Sequence, residues 1–421
     1  MISKMMTTYR QSRNYINVFF GITCSFCTTT AILISAIAVF NFSKCIAADS
    51  DLLVFVQISD VHISPYDQNP KYSYRNAYLK RAISICNEII KPDFVIDTGD
   101  ISDFGTVSEW EKYKKIMSDL KLPHYVIPGN HDGYKALLAQ WPGHFQNSHF
   151  NFAGKGVRFI GINSVKNSRT YPDNIRGTIT DPEFDWLKKQ LSEIKPETPV
   201  CIFSHHLPVG KRGKKYNIDD NREAALKLIK PYNVPLWAGG HYHYFLATNT
   251  GKTTFLISQS LSKSRKSPVT KRNSRRGFRV YCVYKGIFST RFMAFDNGSK
   301  PKALKPEGDF FPCSVIVSPV SELFYNTGSK KGNGNKITAK IFGDSGIEKV
   351  EVYVDGKFAG NMKTGSDNLW HAVCKVNLNS GKHKIKIVVS DRKGGKDIQE
   401  IMTGPPKHGY ISEYNFNPEN M

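Results

Sequence analysis

The sequence repeats one local pattern, in which a short apolar run ends at Asp, Asn or His, often beside a glycine. The polar segments that follow such runs are Asp60-Val61-His62, Gly99-Asp100, Gly129-Asn130-His131-Asp132, His205-His206 and Gly240-His241-Tyr242-His243. Apolar runs of this length are typical of buried strands. Because open α/β sheets place their sites just beyond the carboxyl ends of strands, we expect the five segments to meet at one site.

Helical signals separate these predicted strands. Residues 73–90 carry apolar positions typical of a helix. Thr106-Val107-Ser108-Glu109 and Thr180-Asp181-Pro182-Glu183 match capping boxes, the second with proline near the first turn. The alternation of strands and helices predicts an α/β fold over residues 49–312. The later runs that alternate as antiparallel closing strands do are residues 255–257, 278–284 and 287–295.

The sequence changes character near Pro312. Residues 313–400 contain short alternating runs without a helical period, which predicts a small immunoglobulin-like β-sandwich. Within this region, apolar runs on both sides of Asp355-Gly356 indicate a hairpin. Residues 401–421 are mostly polar and are expected to form a loose tail.

Residues 1–48 form a separate N-terminal segment. No residue from 16 to 42 is charged. The basic residues around this uncharged stretch are Lys4, Arg10, Arg13 and Lys44. The pattern is typical of a signal peptide or a membrane anchor with its amino end inside, and both alternatives stay open. Either one predicts an extracytoplasmic protein that is secreted, periplasmic or anchored in the membrane.

The 421 residues carry a formal net charge of +22, which favours anionic partners. Many lysines are scattered and are expected to serve solubility. Two basic clusters follow the polar segments: Lys211, Arg212, Lys214 and Lys215 after His206, and Lys263, Arg265, Lys266, Lys271, Arg272, Arg275 and Arg276 after His243. We expect them to form a positive rim that attracts a polyanionic substrate. Few aromatic residues interleave with them, so specific nucleic-acid binding is not predicted.

The cysteines beyond residue 48 are Cys86, Cys201, Cys282, Cys313 and Cys374. Their number is odd and their spacing contains no C-x-x-C pair, which argues against a zinc knuckle or a dense disulfide framework. We therefore expect buried free thiols.

The strand-ending segments contain the donor types of a metal centre. The candidate ligands are the oxygen donors Asp60, Asp100 and Asn130 and the imidazoles of His62, His205, His241 and His243. A mixed nitrogen and oxygen set without thiolate favours Mn, Fe or Zn, and a set of this size suits two adjacent divalent ions that share one carboxylate. His206 either joins these ligands or only adjoins them.

The ordered motifs D-x-H, G-D, G-N-H-D, H-H and G-H-x-H resemble those of the calcineurin-like metallophosphoesterase family over residues 52–295. The resemblance implies a four-layer αββα sandwich and two divalent metal ions. It also implies these roles: Asp60, His62 and His243 as ligands of the first ion, Asp100 as the bridge, Asn130, His205 and His241 as ligands of the second ion, and His131 as the group that contacts the phosphate and protonates the leaving oxygen.

The resemblance extends to Asp103, since an Asp three residues after the bridge supports the catalytic histidine in the phosphoprotein phosphatase branch. That branch has Arg where this chain has Phe104, and the motifs around His62 and His241 are closer to those of cyclic-nucleotide and glycerophosphodiester phosphodiesterases. The expected activity is therefore hydrolysis of anionic phosphodiesters through in-line attack by a metal-bridging hydroxide, assisted by His131. The alternatives are a nuclease or nucleotidase of the same fold and an inert cell-surface binding protein. The β-sandwich is expected to act as a spacer, or to bind a cell-envelope polymer.

Overall fold

The computed structural model describes residues 51–66, 69–166, 175–209, 217–268, 270–296, 298, 313–327, 330–343 and 346–406. The expected signal or anchor segment, the basic cluster at 211–215 and the tail beyond residue 406 lie outside the described residues. Within the described part of the chain, no helix combines the length and apolar character needed to cross a membrane.

Strands and helices alternate through the larger part of the chain. The strands are β1 Leu52–Ile58, β2 Phe94–Asp97, β3 His124–Val126, β4 Phe150–Gly154, β5 Val157–Gly161, β6 Gly177–Thr178, β7 Val200–Phe203, β8 Ile218–Asp220, β9 Leu236–Gly239, β10 Leu246–Thr250, β11 Thr253–Ile257, β12 Gly277–Tyr284 and β13 Ile287–Ala294. The helices are α1 Pro70–Ile85, α2 Val107–Met117, α3 Trp141–His144, α4 Asp181–Ser192 and α5 Arg222–Ile229.

These strands form two large sheets. The first has the order β13-β12-β1-β2-β3, in which β1, β2 and β3 are parallel and β12 and β13 are antiparallel, as predicted. The second has the order β10-β11-β9-β7-β5-β4, with antiparallel strands only at its two edges. The prediction for residues 255–257 was therefore half wrong, because β11 pairs antiparallel with β10 but parallel with β9. Short strands β6 and β8 pair with each other.

Side chains of β1 alternate between two cores, as the two-residue period of a strand requires. Leu53 and Phe55 lie in the core between the two sheets, whereas Val54 and Val56 face α1 and α2. A third core packs α4 and α5 against the outer face of the second sheet. The resulting order of helices, sheet, sheet and helices confirms the predicted four-layer αββα sandwich.

The helix ends test the predicted caps. The expected helix over 73–90 is α1 followed by a π-helical turn, Cys86–Ile90. Thr106 and Glu109 form the predicted capping box of α2. The second box is wrong: α4 begins at Asp181, but the Thr180 side chain makes no capping hydrogen bond. Glu183 instead accepts from the Asn163 amide at 2.8 Å, so its carboxylate is engaged outside the helix.

The C-terminal region is an all-β sandwich. Its strands are β14 Cys313–Ser318, β15 Lys336–Phe342, β16 Ile347–Val354, β17 Lys357–Asn361, β18 Lys363–Thr364, β19 Trp370–Val373, β20 Lys384–Asp391 and β21 Lys396–Met402. They form two antiparallel sheets, β14-β15-β19-β18 and β17-β16-β20-β21. Asp355 and Gly356 both have positive φ, 52° and 81°, which is the conformation of the predicted tight hairpin turn. Strand β21 continues two residues beyond the expected end of the sandwich at residue 400.

The sandwich packs directly on the first sheet. Val315 and Val317 of β14 share a core with Val280 of β12. Arg291 of β13 donates to both carboxylate oxygens of Asp397 of β21 at 2.6 Å. The five cysteines of the described region are free and buried, so the prediction of buried thiols is confirmed.

Candidate metal centre

The predicted ligands lie on loops that leave the carboxyl ends of strands in both large sheets. Asp60 and His62 follow β1, Asp100 follows β2, Asn130 and His131 follow β3, His205 follows β7, and His241 and His243 follow β9. Since the parallel strands of each sheet end at the same edge, the fold brings together residues that are up to 183 positions apart in the sequence. The side chains of these candidate ligands are buried.

The first ligand group contains Asp60, His62, Asp100 and His243, whose donor atoms lie within 4.8 Å of one another. Nε2 of His62 lies 3.1 Å from Nε2 of His243 and 3.6 Å from Oδ2 of Asp100. Nε2 of His243 also lies 3.1 Å from Oδ1 of Asp60. Two nitrogens and two carboxylate oxygens therefore converge in one small space.

The second group adjoins the first and shares Asp100 with it. Oδ2 of Asp100 lies 3.4 Å from Nε2 of His205. Oδ1 of Asn130 lies 3.2 Å from Nε2 of His205 and 2.8 Å from Nδ1 of His241. The same oxygen of Asp100 thus faces both groups, which is the position of a bridging ligand.

Unusual backbone conformations concentrate at these residues. The candidate ligands with positive φ are Asp60 at 54°, His62 at 48°, Asp100 at 54°, His241 at 70° and His243 at 59°. This left-handed conformation is uncommon for residues other than glycine, although Asp and His adopt it more readily than most. Strained backbone of this kind clusters at functional sites, where the surrounding structure holds it in place.

Two glycines allow the ligand loops to approach each other. A Cβ atom on Gly129 would lie 2.1 Å from the amide nitrogen of Asp100, and one on Gly240 would lie 2.3 Å from Oδ2 of Asp60. Both distances are shorter than any real contact of a Cβ atom. The glycines of G-N-H and G-H-x-H are therefore required for close packing of the loops.

The donor set fits divalent cations. Despite burial, the charges of His205 and His131 hold the pKa of Asp100 well below its usual value, so this carboxylate is ionised. Burial lowers the pKa of His243 to about 4 and that of His62 well below its usual value, so both imidazoles are neutral and offer lone pairs. Ionised carboxylates and neutral imidazoles are the forms that bind metal ions. Although burial opposes it, Asp100 raises the pKa of His205 to about 9, so His205 would have to release a proton on binding a metal ion.

His206 lies next to the second group. Its Nδ1 donates to the carbonyl of Ser164 at 2.8 Å, and burial lowers its pKa to about 3. Its Nε2 is buried and has no hydrogen-bond partner among the described residues. His205, His206 and His241 form another cluster with donor atoms within 4.8 Å of one another. An ion or a water molecule at this position would satisfy the Nε2 lone pair.

His131 lies at the edge of the two groups and lines a cavity with Asp100, His241 and His243. Its Nδ1 donates to the main-chain carbonyl of Asp103 at 2.7 Å. Its amide donates to Oδ1 of Asp100 at 2.8 Å. Burial lowers the pKa of its imidazole. His131 is therefore held by hydrogen bonds of both its side chain and its backbone, next to the shared carboxylate of Asp100.

Comparison with known proteins identifies the family. The model of the calcineurin-like phosphoesterases matches residues 53–245. A probable glycerophosphodiester phosphodiesterase of Arcobacter nitrofigilis is 32% identical over 225 residues, which are 50% of this chain and 79% of that protein. The chain belongs to the calcineurin-like phosphoesterase family. It is thus a hydrolase of phosphoesters, and its buried Asp and His cluster fits the divalent metal ions that the family uses.

Two other relatives have related names. A probable cyclic nucleotide phosphodiesterase of Synechococcus is 26% identical over 216 residues, covering 50% of this chain and 81% of that protein. A glycerophosphodiester phosphodiesterase of Enterobacter lignolyticus is 28% identical over 217 residues, covering 48% of this chain and 75% of that protein. In all three comparisons about half of this phosphoesterase matches most of the relative.

The main-chain carbonyl of Asp103 contacts His131, the predicted catalytic histidine, whereas the Asp103 carboxylate contacts other side chains. Oδ1 accepts from Nζ of Lys263 at 2.5 Å and lies 3.3 Å from Nδ1 of His62. Oδ2 accepts from Arg75 at 2.5 Å. Although burial opposes ionisation, Lys263 and Arg75 lower the pKa of Asp103. The ionised carboxylate therefore lies beside the outer nitrogen of His62 without a hydrogen bond to it, while Nε2 of that imidazole faces Asp60 and Asp100.

Phe104 and the tyrosines of the G-H-x-H segment have packing roles. Phe104 is 38% exposed and contacts the rings of Tyr66 and Tyr72, with centroids 5.8 and 5.9 Å away. Tyr242 and Tyr244 are buried in the core under the second sheet, and Tyr242 donates to Asn217. The structure therefore places both tyrosines in the core.

Two functional residues were not recognised from the sequence. Asp132 accepts hydrogen bonds from the amides of Gly129, Ile101 and Ser102, and so joins the loops that carry Asn130 and Asp100. Its place at the end of the G-N-H-D motif was the available signal. Lys263 pairs with Asp103 across 160 positions, and its only sequence signal was membership of the basic cluster.

Proposed function

We propose that the protein is a metal-dependent phosphodiesterase with two divalent ions in its site. One observation carries this proposal: Oδ2 of Asp100 lies 3.6 Å from Nε2 of His62 and 3.4 Å from Nε2 of His205, so one carboxylate joins two ligand groups. The relatives named as phosphodiesterases support a diester substrate.

The residues would divide between the two ions as the resemblance implies. The first ion would be held by Asp60, His62 and His243, the second by Asn130, His205 and His241, and both by Asp100. The absence of thiolate from this set favours Mn, Fe or Zn. When bound, the pair of ions supplies Lewis-acid charge at the phosphoryl oxygens and an activated water.

His131 would deliver the proton to the leaving alcohol. A carbonyl oxygen can only accept a hydrogen bond, so Nδ1 of His131 keeps its proton while it donates to Asp103. The exchangeable proton therefore belongs on Nε2. A proton at that nitrogen can be transferred to the ester oxygen that leaves phosphorus.

Hydrolysis of model esters tests the proposal. Purified protein supplied with Mn²⁺ should cleave bis-p-nitrophenyl phosphate faster than p-nitrophenyl phosphate, and excess chelator should abolish both reactions. A preference for the monoester would overturn the assignment as a phosphodiesterase. No hydrolysis of either compound with any of Mn²⁺, Fe²⁺ or Zn²⁺ would favour an inert binding protein.

A nuclease is the second candidate, and the basic loop after β11 is the observation that favours it. This loop places Lys263, Arg265 and Arg276 on the wall of the cavity beside the metal centre. Cleavage of single-stranded DNA at a kcat/KM above that for bis-p-nitrophenyl phosphate would support this second activity.

We propose further that the enzyme works outside the cytoplasm. The uncharged stretch at 16–42 and its basic flanks support export or membrane anchoring. The β-sandwich, which we propose to be immunoglobulin-like, would then serve as a spacer or contact a cell-envelope polymer. Fractionation of cells that produce the full chain tests this placement, and recovery of all activity in the cytoplasm would contradict it.

A further inference from the structure

A cavity of about 590 Å³ opens over the metal centre and has a strongly basic wall. The ligand candidates Asp100, Asn130, His241 and His243 form one part of its lining. The cationic part consists of Arg75, Lys263, Arg265 and Arg276. The same space that admits a phosphoester therefore exposes it to four positive side chains.

Acidic partners neutralise only half of this charge. Arg276 pairs with Asp296 at 2.6 Å. Arg75 and Lys263 share the single carboxylate of Asp103, each at 2.5 Å. Among the described residues, no carboxylate pairs with Arg265. The four cations thus face two acids, and an excess of about two positive charges remains beside the metal centre.

The backbone of Arg265 is held in place although its side chain is exposed. Its amide donates to Oγ of Ser274 at 3.0 Å, and its carbonyl accepts from the Ser274 amide at 3.0 Å. Oγ of Ser264 donates to the Ser274 carbonyl at 2.6 Å. The two sides of the loop are therefore joined at Ser264 and Arg265, and the guanidinium of Arg265 projects from a fixed point on the cavity wall.

A simple phosphodiester does not need this excess charge. It carries one negative charge, and that charge lies on the phosphoryl group over the metal ligands. A neutral alcohol group on the same phosphorus would leave Arg265 without an anion, and Arg75 and Lys263 with one carboxylate between them. A second phosphate or carboxylate would accept charge-assisted hydrogen bonds from Lys263 and Arg265, and the planar guanidinium of Arg matches such anions in a bidentate manner.

We propose that Lys263 and Arg265 form an anion subsite, and that the preferred substrates are phosphodiesters whose alcohol group carries a second phosphate or carboxylate. The proposal rests on the phosphodiesterase activity proposed above and names its substrate class.

Two substrates that differ by one phosphate test the subsite. These are thymidine 5′-(p-nitrophenyl phosphate) and the same compound with a 3′-phosphate, assayed with the full chain and Mn²⁺. We expect kcat/KM to be about 10- to 100-fold higher for the 3′-phosphorylated compound, the range for a hydrogen bond to a charged group. Arg265→Gln should reduce this ratio about tenfold or more, and Arg265→Glu should invert it.

Lys271→Gln is the matched control, since Lys271 is an exposed cation of the same loop that does not line the cavity. It should leave the ratio unchanged. Equal kcat/KM for the two compounds, or an unchanged ratio in Arg265→Gln, would overturn the proposal of an anion subsite. Hydrolysis of both compounds would in that case still support the phosphodiesterase activity. Failure of the wild-type protein to cleave either compound would instead overturn both proposals.

Discussion

Replacing Asp132 by alanine removes the acceptor that joins two ligand loops. The carboxylate is fully buried and accepts from the amides of Gly129 at 2.8 Å, Ser102 at 3.0 Å and Ile101 at 3.2 Å. It also accepts from the Ser102 hydroxyl at 2.7 Å. Each buried donor left without a partner costs about 1–3 kcal/mol. Because water can enter the vacated space, we expect Asp132→Ala to lower the free energy of unfolding by about 3–5 kcal/mol.

The loss should extend to the metal centre. Asp132 fixes the loop of Asn130 against the loop of Asp100, so we expect Asp132→Asn, which keeps one acceptor oxygen, to weaken Mn²⁺ binding about 10- to 100-fold. Urea unfolding of the metal-free protein measures stability, and calorimetric titration with Mn²⁺ measures affinity. If Asp132→Ala does not fold, both measurements can still be made on Asp132→Asn, which is the milder variant.

Asp397→Asn provides the control, because Asp397 also accepts several hydrogen bonds but lies in the β-sandwich. It should lower stability without changing Mn²⁺ affinity. If both Asn variants lost stability but neither lost affinity for Mn²⁺, the Asp132 carboxylate would have no specific effect on the ligand loops, contrary to this prediction.

Three further results are expected. His131→Ala should reduce kcat about 10²- to 10⁴-fold for diesters with alkyl leaving groups and much less for p-nitrophenyl esters, whose leaving group needs no proton. Activity should fall severalfold between about 50 and 500 mM NaCl if the basic cluster draws in anionic substrate, whereas a flat response would contradict this role. Burial lowers the pKa of His124 to about 4, so the unfolded chain binds a proton there first and stability should fall as the pH drops from about 6.5 to 4. Over this pH range the free energy of unfolding of His124→Asn, measured with urea, should fall by roughly 1–2 kcal/mol less than that of the wild-type protein. This value allows for the partial exposure of the imidazole.

The sequence predicted that the candidate ligands would lie close together, because each of them is marked locally at the end of an apolar run. Asp60 and His62 follow an apolar run directly, and strand ends of parallel sheets converge whatever the length of the chain between them. The same argument holds for His241 and His243. The shared position of Asp100 was implied only by the family resemblance, and the contacts of its Oδ2 now support that position.

The partners of these ligands could not be predicted, because they depend on contacts between distant loops. Lys263 reaches Asp103 across 160 positions, and a basic cluster does not reveal which lysine turns inwards. The second capping box failed for a similar reason, since Glu183 is engaged by the Asn163 amide from a neighbouring loop. A short motif shows which polar groups a segment contains, whereas tertiary packing decides which partners those groups contact.

Anomalous diffraction from crystals grown with Mn²⁺ would show directly whether two metal ions bind at this site. We expect two Mn²⁺ peaks per chain, about 3.5–4 Å apart, with the Asp100 carboxylate between them. One peak should lie against His62 and His243, and the other against His205 and Asn130. A single peak, or two peaks that do not share Asp100, would contradict a two-ion site with Asp100 as its shared ligand.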